Sequence, residues 1–317
     1  MMRVLVRLPN HVGDACMALP AIRALQDAGC SCVLLGRAWG ESLFAGLQLP
    51  YRVLDNRVLA DSARLRSLVR ATRDDVRGLI FPNSFGSALA FALAGVRSAG
   101  LATRGRGVLL RWASAEPAPC HEVERFHAAA AAALRAWDRP APDAPSALLG
   151  LRPASAQRSQ ARAVLEAQRI ARRYALLAPV ATGLHHGQAK HWAHFPALVP
   201  ALRERALQPV AAPPAHEAAA VRAALPEAIL LPPVELGVYA ALARYASLVI
   251  ANDSGSSHVA AAVGARQVTI FGVTDRARTA PWSPRAVCVG DNGAWPSVDD
   301  VVAAIDRALA MADTERE

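Results

Sequence analysis

Met1–Asp27 reads MMRVLVRLPNHVGDACMALPAIRALQD, and its three parts obey three different rules. Residues 3–8 (RVLVRL) are rich in branched apolar side chains and too short for a stable helix, the pattern of a buried strand. Residues 15–27 place Met17, Leu19, Ile22 and Leu25 at helical spacing. The junction PNHVGD is polar. In a parallel α/β sheet such a junction opens at the carboxyl end of a strand, where ligands bind. This opening therefore predicts a doubly wound sheet with a site in its first loop.

The alternation continues with strands at 32–35 and 78–81, helices at 62–73 and 84–94, and a closing helix at 122–137. Residues 138–155 (DRPAPDAPSALLGLRPAS) hold four prolines and read as a linker. After it come strands at 174–178, 208–211, 228–231, 248–251 and 267–271. Helices at 196–205, 216–224, 236–243 and 256–263 separate them, and a helix at 298–311 ends the pattern. The expectation is two Rossmann-like domains, residues 1–150 and 151–317, facing each other across a cleft. The last helix is free to pack back on the first domain.

The 317 residues carry 35 basic and 26 acidic side chains, a net charge of +9. Residues 1–150 hold 18 basic against 12 acidic groups, so most of the excess lies in the first half. Such a balance suits a phosphorylated ligand or an anionic membrane surface. No Lys/Arg block is interleaved with aromatics, so nucleic acid is not expected as a partner. Cys16, Cys30, Cys32, Cys120 and Cys288 are odd in number and scattered, which predicts reduced thiols in a cytoplasmic protein. No apolar run reaches the roughly 18 residues that span a bilayer, so membrane contact is expected to be peripheral, at the inner face. A monomer is expected.

Lys190 is the only lysine in an arginine-rich chain, and a lone ammonium marks a place that wants a compact point charge. It lies in residues 183–196 (GLHHGQAKHWAHFP). His185, His186, His191 and His194 cluster there without a carboxylate or cysteine, so no metal is expected. Residues 251–264 (ANDSGSSHVAAAVG) are the second polar junction. A simple helix cap needs one small polar residue. Here Ser254, Gly255, Ser256 and Ser257 together offer amides and hydroxyls suited to a diphosphate, with His258 as a further donor. In the first junction Gly13 is expected to allow a tight turn. Asp14 either caps the next helix or acts as a general base, with His11 as a second candidate.

In order along the chain, VGDACMALPAIRAL, FPNSFGSALAFALAGVRSAG, KHW and NDSGSSHVAAAVGARQVTIFG resemble the family 9 glycosyltransferases, the bacterial lipopolysaccharide heptosyltransferases. PNSFGSAL looks like heptosyltransferase II, and KHW like heptosyltransferase I. The resemblance implies the GT-B fold and an inverting, metal-independent transfer with no cofactor. The donor implied is a nucleotide-sugar, ADP-heptose, held by the second domain; the acceptor is a phosphorylated glycolipid or glycan on the first. It implies that Asp14 is the general base and Lys190 the phosphate-binding cation, with Thr182 beside it. Asp253, Ser254, Gly255, Ser256 and Ser257 would hold the donor sugar and diphosphate, Glu217 the ribose, and the Val234 backbone would face adenine. On the acceptor side His11, Gly13, Asn83, Ser84, Arg104 and Arg106 are expected, with Arg111 near the phosphates. Transfer of another nucleotide-activated sugar, an epimerase-like enzyme and a binding protein without turnover are the alternatives. A nicotinamide dehydrogenase is disfavoured, because no GxGxxG opens a helix after either first strand.

Overall fold

The computed structural model describes residues 2–170, 173–181, 184–185, 188–291 and 293–311. The chain divides into two units, Met1–Ser146 and Ala147–Glu317. In the first, β1 (Met2–Arg7) leads through a short loop into α1 (Val12–Met17) and α2 (Leu19–Asp27). The helix expected over 15–27 starts earlier and breaks at Ala18, because Pro20 has no N–H to continue the helical ladder. Next come β2 (Ser31–Gly36), α3 (Trp39–Leu43), β3 (Tyr51–Val53) and α4 (Val58–Arg70). The unit continues with β4 (Asp75–Ile80), α5 (Phe85–Leu93), β5 (Arg97–Leu101), β6 (Trp112–Ser114) and α6 (Glu122–Ala136).

These strands form a parallel sheet in the order β3-β2-β1-β4-β5-β6. Leu5 stands opposite Val33 on one side and Gly78 on the other. A Cβ on Gly78 would lie 2.7 Å from the ring of Phe91, so the strand gives up its side chain to seat α5. Burying Phe91, which is 1% exposed, contributes about 2–3 kcal/mol. Leu5, Leu35, Leu65, Ile80 and Ala88 complete this core.

The second unit begins with α7 (Ser155–Ala167), β7 (Tyr174–Ala178) and the short antiparallel pair β8 (Leu184–His185) and β9 (Gln188–Ala189). After them come α8 (Leu198–Glu204), β10 (Gln208–Ala211), α9 (Ala218–Ala224), β11 (Ile229–Leu230) and α10 (Leu236–Tyr245). The last elements are β12 (Leu248–Asn252), α11 (Gly255–Ala262), β13 (Gln267–Ile270), α12 (Arg276–Thr279), β14 (Ala286–Val289) and α13 (Val298–Ala310). The main sheet is parallel, ordered β11-β10-β7-β12-β13-β14. Each sheet therefore winds outward in both directions from its first strand. Leu177, Phe195, Leu198, Ile250 and Ile270 pack with Val301, Ala304 and Ile305 of α13. Val301, Ala304, Ile305 and Ala308 of α13 thus belong to the core of the second unit. Leu149 and Leu151 of the proline-rich segment are buried, and the Leu151 N–H donates to the Ala262 carbonyl at 2.8 Å. Among the described residues no helix is long and apolar enough to cross a membrane.

Candidate active site

At the carboxyl end of β12 the chain turns from Asn252 into α11 through Asp253 and Ser254. Ser254, Gly255 and Ser256 are half-buried, and the first helical turn leaves its N–H groups without intrahelical acceptors. Partial positive charge therefore accumulates on an accessible helix end. Ser257 differs from the expectation. It is fully buried, donates its hydroxyl to the Ser254 carbonyl at 2.8 Å, and accepts from the Ser254 N–H at 3.4 Å. Its side chain shapes the turn and is not available to a ligand.

Asp253 is the acidic centre of this end. Its side chain is 7% exposed, with Lys190 Nζ 3.7 Å from Oδ2 and His258 Nε2 3.8 Å from Oδ1. His258 is buried with Nε2 facing Asp253, not the outside of the helix end. Glu217 ends a short 3-10 turn (Ala215–Glu217), and burial pushes its carboxyl up, opposed by His216. Val234 lies half-buried in the loop before α10. Tyr239, which the sequence did not single out, is buried on α10 beside Ser256; burial pushes its phenol up to about 12, so it stays a neutral hydroxyl. Thr182 and His186 lie outside the described residues.

What fixes Lys190 is a residue the sequence reading passed over. Asn252 is completely buried; its Oδ1 accepts from the Trp192 N–H at 2.9 Å, and its Nδ2 donates to the Pro179 carbonyl at 2.7 Å. The Trp192 ring, itself buried, donates Nε1–H to the Pro296 carbonyl at 2.9 Å. The lysine segment is thereby pinned to the ends of β7 and β12. Asn252→Ala strands an N–H and a carbonyl in the interior, so it is expected to cost about 2 kcal/mol. Urea unfolding of the full chain checks this, the expected result being a lower midpoint.

In the first unit His11 is the exposed N-cap of α1 and makes no side-chain cap bond. Gly13 is the second helical residue and is not among the positive-φ glycines, so the turn does not require it. Asp14 follows in the first turn, half-buried, where the helix end favours a carboxylate. It is the third helical residue, not the cap. Asn83 and Ser84 precede α5, with Ser84 as the cap accepting from the Ser87 N–H at 3.3 Å.

Arg106 overturns its expected role. The side chain is fully buried; it donates to the Leu101 carbonyl at 2.8 Å and to the carbonyls of Pro82 and Ile80. Burial, with Arg125 adding to it, pulls its pKa down to about 10, still charged at neutrality. It clamps the loops after β4 and β5 and cannot meet an acceptor phosphate. Arg104 and Arg111 are exposed. Among the described residues no group of three His, Cys, Asp or Glu side chains is placed to share a metal ion.

Two parallel α/β units of this kind make up the GT-B fold, which sugar transferases share with nucleotide-sugar epimerases. The chain belongs to glycosyltransferase family 9 (heptosyltransferase), whose model matches residues 63–303, and it is a glycosyltransferase. No curated protein matches the sequence. Among solved structures it is similar to the ADP-heptose lipopolysaccharide heptosyltransferase II of E. coli, with 23% identity, TM-score 0.78 and coverage of 97% of this chain and 98% of that one. The E. coli heptosyltransferase WaaC with ADP shares 18% identity at TM-score 0.75, covering 97% and 100%. A UDP-GlcNAc 2-epimerase from Methanocaldococcus jannaschii is more distant, with 12% identity and TM-score 0.53, covering 98% and 93%. These likenesses show the shared fold.

Proposed function

We propose that this enzyme transfers a heptose from ADP-heptose to a lipopolysaccharide core acceptor, inverting the anomeric centre without a metal. One observation carries the reading: the half-buried start of α11 stands beside an Asp253–Lys190 pair whose lysine segment is held by two hydrogen bonds from Trp192, to Asn252 and to Pro296. A diphosphate placed there would meet first-turn amides, the Ser256 hydroxyl and one ammonium. Glu217, kept partly out of water, is suited to accept hydrogen bonds from ribose hydroxyls.

In the proposed reaction Asp14 takes the proton of an acceptor hydroxyl as that oxygen attacks the anomeric carbon. The C–O bond to the diphosphate breaks on the opposite face, and its electron pair leaves with the nucleoside diphosphate. Lys190 and the α11 amides stabilise that growing charge. Support for ADP-heptose comes from the family and from the matched structures described as ADP-heptose and ADP-bound heptosyltransferases. Arg104, Arg111 and the strongly exposed Val108 give the first unit a basic, partly apolar rim suited to a glycolipid at the cytoplasmic face of a membrane.

A panel of ADP-, GDP- and UDP-sugars with a truncated lipopolysaccharide acceptor, read by product mass, tests the reading. Transfer from ADP-heptose is expected. Transfer from UDP-sugars alone would sink the heptosyl assignment.

A further inference from the structure

Strand order β3-β2-β1-β4 makes the gap between β1 and β4 the place where the first sheet reverses direction, and crevices form at the carboxyl side of such gaps. A cavity of about 220 Å³ lies there, lined by residues of the first unit alone. Its apolar side is Leu54, Val58, Ala90 and Phe91. Its polar side is built around Arg7, whose guanidinium is 1% exposed.

Arg7 donates to the Leu8 carbonyl and to Asn10 Oδ1, each at 2.6 Å, and to Asn56 Oδ1. Both carboxamide oxygens are thereby used, and the N–H₂ groups of Asn10 and Asn56 are turned away from the guanidinium. Asp61, 4% exposed, accepts the Asp55 N–H at 3.0 Å on Oδ1, while no bond to its Oδ2 is made among the described residues. Ser84 donates to Ser87 Oγ at 2.7 Å, so the Ser87 proton is directed elsewhere.

The crevice thus combines amide and hydroxyl donors, one carboxylate acceptor and an apolar floor. Its buried guanidinium and buried carboxylate offset each other, which disfavours a net anion or cation. A volume below the roughly 300 Å³ of pockets for drug-sized ligands suits one ring and not a chain. Asn10, in the loop between β1 and α1, lies four residues before Asp14.

We propose that this crevice is a subsite for a single neutral, polyhydroxylated sugar ring of the acceptor, with its C–H face on Phe91 and Leu54 and its hydroxyls between Asp61, Asn56 and Ser87. The inference rests on the acceptor reading above. The test uses the full chain and methyl glycosides of neutral hexoses and heptoses, with hexose phosphates as a charged arm, followed by saturation-transfer NMR. Neutral glycosides are expected to bind, and Ser87→Phe, which fills the crevice, is expected to abolish the signal. Asn56→Gly keeps the left-handed backbone at φ 63° and is expected to weaken binding at least fivefold. Because both positions lie in the first unit, urea unfolding of the full chain, with the transition of that unit retained in both variants, shows that they fold. Preferential binding of hexose phosphates, or neutral binding that survives both substitutions, would overturn the subsite. A wild-type chain that binds glycosides but no ADP would count against the proposed function instead.

Discussion

Asp14→Asn is expected to slow sugar transfer about 100- to 10,000-fold, the usual worth of a positioned general base, while leaving nucleotide binding and folding as they are. The substitution is close to isosteric. It keeps a polar side chain in the first turn of α1, where Asp14 is only half-buried, so little packing is lost. Removing the carboxylate also removes a favourable charge at the helix end, worth about 0.3–1 kcal/mol, which is small beside the kinetic effect. Product mass over time, ADP titration and thermal unfolding, run on both proteins, separate the two contributions. A variant that transfers sugar at close to the wild-type rate would remove Asp14 from the role of base.

Arg106→Leu should unfold the first unit far more easily than any change at its neighbours. The guanidinium supplies the carbonyls of Leu101, Pro82 and Ile80 with donors inside a water-free layer. Leucine fills much of the volume and none of the hydrogen bonds, and each stranded buried carbonyl costs about 1–3 kcal/mol. A loss of about 3 kcal/mol or more is expected in urea unfolding. Arg104→Leu, at an exposed site two residues away, should stay within about 0.5 kcal/mol. If instead Arg106→Leu melts like the wild type but binds acceptor poorly, the arginine serves the ligand after all.

Arg106 also shows where sequence reading stops. An arginine between two glycines looks like a surface charge, and nothing local reveals that the loop folds it inward over three carbonyls. Some elements were legible: β7 and β10 fall on the residues expected, because each is a short, largely apolar run between turn signals. β5 (RSAGL) was missed because small residues replace branched ones where Arg106 and α6 pack close. α7 starts inside the segment read as linker, and it buries only Gln157 and Ala161, too faint a stripe to register. At the site, Lys190 stands out by charge and rarity and Asp253 through the family resemblance, and the structure brings them together. Asn252 carries no charge and was overlooked, although a carboxamide ending an apolar strand must find partners if it is buried.

The pinning of Lys190 has a consequence for how the enzyme comes into being. The two bonds that hold its segment reach 60 and 104 positions along the chain, to Asn252 and Pro296, and Asn252 in turn reaches 73 positions back to Pro179. None of them can form during the synthesis of the KHW stretch itself. Both anchors of the segment are in place only after β12 has been made and the ribosome has passed Pro296. Newly made chains therefore fix this segment late, and a chain ending before that proline would keep the lysine but lack one of the contacts that anchor it.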